Sequence, residues 1–264
     1  MTHSIWLAGC GNMGGAMLRR WIDAGLDPAS MTVIDPVATD VPEGVRHLAM
    51  PPAESAPTLL VLAIKPQQLA ELAPLLSQWH GTPPMVLSIL AGVDAATLRD
   101  RLGAPVIVRA MPNLPVLIGK GVVALWSDTA NEAERQSITS LMRPLGLVEW
   151  VDSEPLFHAV TALPGSGPGF VFRIIEALAA AGDRAGLPAD QALRFAIATV
   201  EGAAALAGDA SETPRALANR VASKGGTTQA GLDVLDEDGA LNRLINDTIA
   251  AAARRSRELA DAAR

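Results

Sequence analysis

The chain has 264 residues, 49% hydrophobic and 19% charged, which describes an ordered globular protein able to bury a sizeable core in two domains. A formal net charge of −7 gives nucleic acid no general attraction, and Arg and Asp interrupt the alanine-rich stretches before any reaches membrane-spanning length. Cys10 is the one cysteine, so no intrachain disulfide can form; with no signal peptide ahead of the first apolar run, the expectation is a soluble, cytoplasmic protein.

Residues 4–8 are a short apolar run suited to a buried parallel strand. Gly9-Cys10-Gly11-Asn12-Met13-Gly14 follows at once, ahead of a helical segment over 14–24. That strand, turn and helix are the setting in which a G-x-G-x-x-G run binds a dinucleotide. Gly9 permits the tight turn, Gly11 lets backbone approach a pyrophosphate, and Gly14 allows the helix to pack closely on the strand. The helix start adds N–H groups and partial positive charge for the phosphates.

A second apolar run, 31–34, ends in Asp35, about 20 residues beyond the glycines, where a carboxylate can bond the ribose hydroxyls of an adenosine. No Arg or Lys lies between Asp35 and Arg46 to neutralise it, which favours NADH over NADPH. Further apolar runs at 59–64, 84–89, 105–109, 121–125 and 147–151, bounded by Pro and Gly and separated by helical spacing, predict a doubly wound parallel sheet. Such a sheet binds ligands at the carboxyl ends of its strands. Lys65-Pro66 and Arg109-Ala110-Met111-Pro112-Asn113 stand at two of those ends.

After Val151 the strand signals stop. Asp152 or Ser153 can cap a helix with Pro155 in its first turn, and Val171, Ile174, Ile175 and Leu178 repeat at helical spacing. Further helices are predicted over 189–207, 214–221, 228–235 and 240–262. The chain thus reads as a dinucleotide-binding Rossmann domain, 1–151, followed by an all-α substrate-binding and dimerisation domain, 152–264. The alanine-rich helices enclose little core of their own, which favours a homodimer.

Absences narrow the chemistry. There is no Tyr, so no tyrosine–lysine proton donor; one Cys and four scattered His offer no zinc site, and no metal is expected. The three lysines, Lys65, Lys120 and Lys224, all avoid the first long helix after the sheet, where β-hydroxyacid dehydrogenases carry a catalytic Lys; the polar residue there is Arg173, a poor proton shuttle. A reductase so short of acids and bases suits a substrate that barely needs them. A cyclic imine, protonated beforehand in water, accepts hydride directly, so positioning and water exclusion can supply most of the catalysis.

The glycine run, Ala63-Ile64-Lys65-Pro66, Arg109 to Asn113, residues 159–168 and above all 221–228 continuing to Leu235 together resemble the pyrroline-5-carboxylate reductase family over essentially the whole chain. The resemblance implies reduction of 1-pyrroline-5-carboxylate to L-proline by NADPH or NADH, in an assembly of at least two copies that in family members extends to decamers. It places the cofactor against Gly9, Cys10, Gly11, Asn12, Met13, Gly14, Asp35, Ala63, Lys65, Pro66, Ala110, Pro112 and Asn113. Substrate falls to Ser223, Gly225, Gly226, Thr227 and Thr228. Amides of 225–227, ahead of a helix, would cradle its carboxylate, and Thr228 would bond the ring nitrogen, with Ser166 lining the same pocket. The chain departs from the family at Pro164, usually Ser, at Leu114, often Thr, and at Met50, where many relatives have an adenosine-contacting Asn. That last departure, beside Asp35, leaves NADH against NADPH open. Rival readings are a related cyclic imine reductase, a β-hydroxyacid-dehydrogenase-like enzyme, or a nucleotide-sensing module without turnover.

Overall fold

The computed structural model describes residues 4–53, 56–76, 79 and 81–262. Eight strands, β1 (Ile5–Ala8), β2 (Met31–Ile34), β3 (Arg46–Leu48), β4 (Leu59–Leu62), β5 (Met85–Ser88), β6 (Val106–Pro112), β7 (Gly121–Trp126) and β8 (Gly146–Trp150), form one sheet in the order β3-β2-β1-β4-β5-β6-β7-β8. Order reverses between β1 and β4, as it does in a Rossmann sheet, and this leaves a crevice at the carboxyl ends of those two strands.

Alternation along the strands builds two cores. Ile5 and Leu7 of β1 join Met31, Val33, Val61 and Val108 on one face, covered by Met17 and Trp21 of α1 (Asn12–Asp23) and Ile138 and Met142 of α4 (Glu132–Met142). Trp6 and Ala8 point the other way, into Leu60, Leu62, Val86 and Ile107, covered by α2 (Leu69–Leu76) and Leu98 of α3 (Ala95–Leu102). A strand buried on both faces is apolar nearly throughout, which is why β1 and β4 stand out as unbroken runs and β2 as one interrupted by the buried Thr32. On the second face Trp6 and Trp79 meet edge to face with centroids 5.1 Å apart.

Three features depart from the sequence reading. The sheet is not wholly parallel, because β7 runs antiparallel to β6. The link between them is a single 3₁₀ segment, Leu114–Ile118, closed by Gly119 at φ 68°, and this is too short for a parallel crossover. β8 is parallel to β7 again, since α4 supplies the crossover. Strand β6 also continues to Pro112 instead of ending at Arg109, and the edge strand β3, with Arg46 and His47 exposed, carries no apolar run that could announce it.

Helices do follow β8, but the first is broken. A 3₁₀ turn (Glu154–Leu156) enters α5 (Phe157–Val160), which passes into a π turn, Thr161–Gly165. Pro164 explains the slip: it has no N–H and cannot continue the i→i−4 ladder, and the Ser166 N–H reaches back five residues to the Thr161 carbonyl, 2.9 Å away. Ser153 precedes the turn, yet its side chain makes no capping bond. Glu154 anchors the segment instead. Its Oε1 accepts from the Ala95 N–H at the start of α3 (2.7 Å) and from the Arg109 guanidinium (3.0 Å), which lies 4.5 Å above the Phe157 ring. Burial pulls the Arg109 pKa below the ordinary arginine value, with the Glu154 hydrogen bond opposing.

The remaining helices are α6 (Gly167–Arg184), α7 (Ala189–Asp209), α8 (Pro214–Val221), α9 (Thr227–Asp236) and α10 (Ala240–Ala262). The chain divides into two compact units, Gly167–Ala251 and the remainder. In the helical unit α6 and α7 pack closely through Gly182 and Ala192, but among the described residues only Ala192 and Ala196 are buried. Phe172, Leu193, Phe195 and Ile197 are exposed. No described helix is long and apolar enough to cross a membrane.

Glu154→Ala leaves the Arg109 guanidinium, 8% exposed, and the Ala95 N–H without their carboxylate, so it is expected to destabilise the sheet unit by about 2–4 kcal/mol, read from the urea midpoint at unchanged m-value.

Candidate active site

The first β–α junction lies beside the reversal point of the sheet. Gly9 has φ 93°, and a Cβ there would stand 2.6 Å from the Ala63 carbonyl oxygen, so the turn and its approach to β4 both require glycine. A Cβ on Gly14 would overlap the Gly9 carbonyl oxygen. Gly11 differs: nothing lies within 4 Å of its would-be Cβ, and its φ of −72° is open to any residue. The glycines therefore divide their work. Gly9 and Gly14 let strand and helix close on each other, while Gly11 keeps clear the space at the head of α1, whose N-terminus has no side-chain cap. Uncapped amides facing an open space are what a pyrophosphate needs.

Asp35 closes this junction from the β2 side. Its Oδ2 accepts from the Cys10 N–H at 2.7 Å and its Oδ1 from the Val37 N–H at 2.9 Å, so the carboxylate is held in one orientation against the glycine turn. Burial, and then the Asp35 charge, push the Cys10 thiol above its usual pKa. Asn12 and Gly11 are exposed and Met13 half-buried in the first turn of α1.

The other expected cofactor residues are placed unequally. Ala63, half-buried, follows β4 and donates its N–H to the Ala8 carbonyl at 2.7 Å; the exposed Lys65 heads a 3₁₀ turn beginning at Pro66 and donates its N–H to Gln68 Oε1 at 2.9 Å. Ala110 and Pro112 are buried within β6, opposite Leu125 and Val123 of β7. Asn113 is buried as well. It donates from Nδ2 to the Pro164 carbonyl (2.8 Å) and accepts at Oδ1 from the Val122 N–H (2.8 Å), binding the π turn to the sheet. Ser166, at the end of that turn, donates its hydroxyl proton to the Thr161 carbonyl at 3.0 Å, which leaves the oxygen able to accept.

The second glycine run lies in the helical unit. Gly225 has φ 72°, the Gly226 N–H donates to the Ser223 carbonyl at 2.9 Å, and Gly226 then heads α9 with no side-chain cap. One of the three expected amides is thus engaged inside the turn. Among the described residues, the N–H groups of Gly225, Thr227 and Thr228 make no such bond, and the Ser223 and Thr228 side chains are exposed.

The sequence reading missed Arg19. Its guanidinium lies against Gly15, where a Cβ would be 3.3 Å from it, and pairs with Asp40 at 3.0 Å. Its partner lies 21 residues further along the chain, so no local spacing announced it.

A Rossmann sheet whose first turn keeps an open, uncapped anion cradle, followed by an all-helical unit, defines a dinucleotide-dependent oxidoreductase. Comparison with known proteins makes this specific. Residues 154–259 match the family described as pyrroline-5-carboxylate reductase dimerisation, and residues 4–92 that described as NADP oxidoreductase, coenzyme F420-dependent. Pyrroline-5-carboxylate reductase of Pseudomonas aeruginosa is 31% identical, with 98% of each chain aligned; that of Aquifex aeolicus is 37% identical over 90% of this chain and 91% of its own. The structure of a pyrroline-5-carboxylate reductase from Coxiella burnetii superposes with a TM-score of 0.89 at 33% identity, covering 98% of this chain and 99% of that one. The chain belongs to the pyrroline-5-carboxylate reductase family.

The two kinds of glycine separate in a test. Gly14→Ala is expected to cost about 1–3 kcal/mol of stability through overpacking, whereas Gly11→Ala changes it by less than about 1 kcal/mol. Gly11→Ala nonetheless weakens NADH and NADPH binding by about tenfold or more, measured by nucleotide titration beside thermal unfolding.

Proposed function

We propose that this chain is a pyrroline-5-carboxylate reductase, which reduces 1-pyrroline-5-carboxylate to L-proline with NADPH or NADH as the last step of proline biosynthesis. The carrying observation is one chain that joins the Gly11 cradle to the Ser223–Thr228 turn and aligns from end to end with enzymes of that name. When bound, the reduced nicotinamide supplies the hydride that adds to the imine carbon.

The chain's own residues bind and orient. The first-turn amides of α1, with Gly11 clear of them, hold the pyrophosphate, and Asp35, fixed by the Cys10 and Val37 amides, offers its remaining lone pairs to the ribose. Lys65 and Pro66 border the same crevice at the end of β4. Ala110, Pro112 and Asn113 border the cofactor at the end of β6, where Asn113 also holds the π turn. At the head of α9, Gly225 and Thr227 offer the amides for the substrate carboxylate, aided by the Ser223 hydroxyl, while Gly226 keeps the turn closed. Thr228 bonds the ring nitrogen. Ser166, whose proton is committed to Thr161, presents an acceptor suited to a protonated imine. No strong acid is needed, because the imine arrives protonated and product formation adds only hydride.

The helical unit, 167–251, is the substrate-binding and dimerisation part in this reading. Its exposed Phe172, Leu193, Phe195 and Ile197 support a homo-oligomer of at least two copies, with the decamer as a higher assembly. The acidic net charge and single cysteine support a cytoplasmic protein with no nucleic-acid or membrane partner.

Oxidation of NADH or NADPH is expected with pyrroline-5-carboxylate and to be much weaker with imines lacking the carboxylate. Equal rates on both would make the chain a general imine reductase, and nucleotide binding without turnover would make it a sensor. Thr228→Ala is expected to lower kcat about 10- to 100-fold while leaving the Kd for the nucleotide nearly unchanged.

A further inference from the structure

The rim of the nucleotide crevice next to Asp35 carries three charges brought from three places in the sequence. Asp35 follows β2 directly and is held by two backbone amides, which fix its carboxylate against the glycine turn. Arg19 reaches back along α1 over Gly15, towards the glycine turn. Asp40, from the loop after β2, takes that guanidinium in a 3.0 Å ion pair. All three charges act on the Cys10 thiol, Asp35 and Asp40 raising its pKa and Arg19 lowering it, which places them around the same turn.

An acidic residue at the end of the second strand bonds a ribose 2′-hydroxyl, whereas a nearby arginine is what accommodates a 2′-phosphate. This rim holds both. The outcome turns on which partner the arginine has. Left alone, Arg19 would face the added phosphate with a fork of donors suited to it. Paired with Asp40, it offers a smaller net attraction, and the sum over Asp35, Asp40 and Arg19 is one negative charge.

We propose that Asp40 is a specificity-determining positioning residue of the nucleotide site: by pairing Arg19 it withholds the cation that a 2′-phosphate requires, and so sets a preference for NADH over NADPH. The inference rests on the reading of the chain as a nicotinamide-dependent reductase and adds which nucleotide it takes and through which residue. Asp40 is 87% exposed, so its replacement leaves both cores untouched.

The test is direct binding of NADH and NADPH to the full-length protein, followed by quenching of tryptophan fluorescence, for the parent chain, Asp40→Asn, Arg19→Ala and the double variant. The parent is expected to bind NADH about tenfold more tightly than NADPH, and Asp40→Asn to shift the ratio of the two Kd values about five- to tenfold towards NADPH. Adding Arg19→Ala to Asp40→Asn should abolish that shift, which a general loosening of the loop would not do. A parent that favours NADPH, an unchanged ratio in Asp40→Asn, or a shift that survives removal of Arg19 overturns the proposal, while turnover of pyrroline-5-carboxylate leaves the enzyme reading intact. Failure to bind either nucleotide overturns both.

Discussion

The sheet unit depends on one close approach, that of the Gly9 turn to the backbone of Ala63. Strand β1 and strand β4 are neighbours, and the chain leaves them in opposite directions. A side chain at Gly9 would collide with the Ala63 carbonyl, and one at Gly14 with Gly9 itself. With both absent, α1 settles directly on the sheet and its uncapped N-terminus faces the crevice. Tight packing and an open helix head are thus separate provisions of one turn: Gly9 and Gly14 let helix and strand meet, and Gly11 leaves the space before the amides clear.

Much of this was legible in the sequence. Strands buried on both faces are apolar at nearly every position, so β2 emerged with its observed bounds despite Thr32, and β1 and β4 within one or two residues of theirs. Helices α8 and α10 were equally clear, from Pro214 and from the spacing of apolar residues. What was hidden had physical causes. β3 is three residues long and exposed at Arg46 and His47, so it has no apolar pattern. The direction of β7 depends on the length of the link that precedes it, a property of the connection and not of the strand. The π turn follows from Pro164, but its i→i−5 bond can be recognised only when the ladder is seen.

The positions of the site residues were legible in outline, while the hydrogen bonds that fix several of them were not. Ala110 and Pro112 sit inside the sheet, because β6 runs three residues past the end that Arg109 had suggested, and Asn113 follows it as a buried tie to the π turn. Arg109 itself is engaged by Glu154 and lies over the Phe157 ring, contacts between distant segments that no local pattern announces. In the helical unit, a glycine pair suggested three free amides; the turn that glycine makes possible uses one of them, since the Gly226 N–H closes onto Ser223. Ion pairs such as that of Arg19 and Asp40 join distant segments and leave no mark on local periodicity.

The buried Asn113 carries a last implication. Its carboxamide meets a donor on one side, the Val122 amide, and an acceptor on the other, the Pro164 carbonyl, so just one rotamer of the end group satisfies both. A group that fits one way round works as a key: it registers the β6–β7 hairpin against the segment ending in Ser166 and rejects any sliding that would bring like dipoles together. Displacement of the hairpin would be handed on to the π turn and the serine that closes it, which makes an otherwise silent interior amide the mechanical link between the sheet edge and the first helical segment.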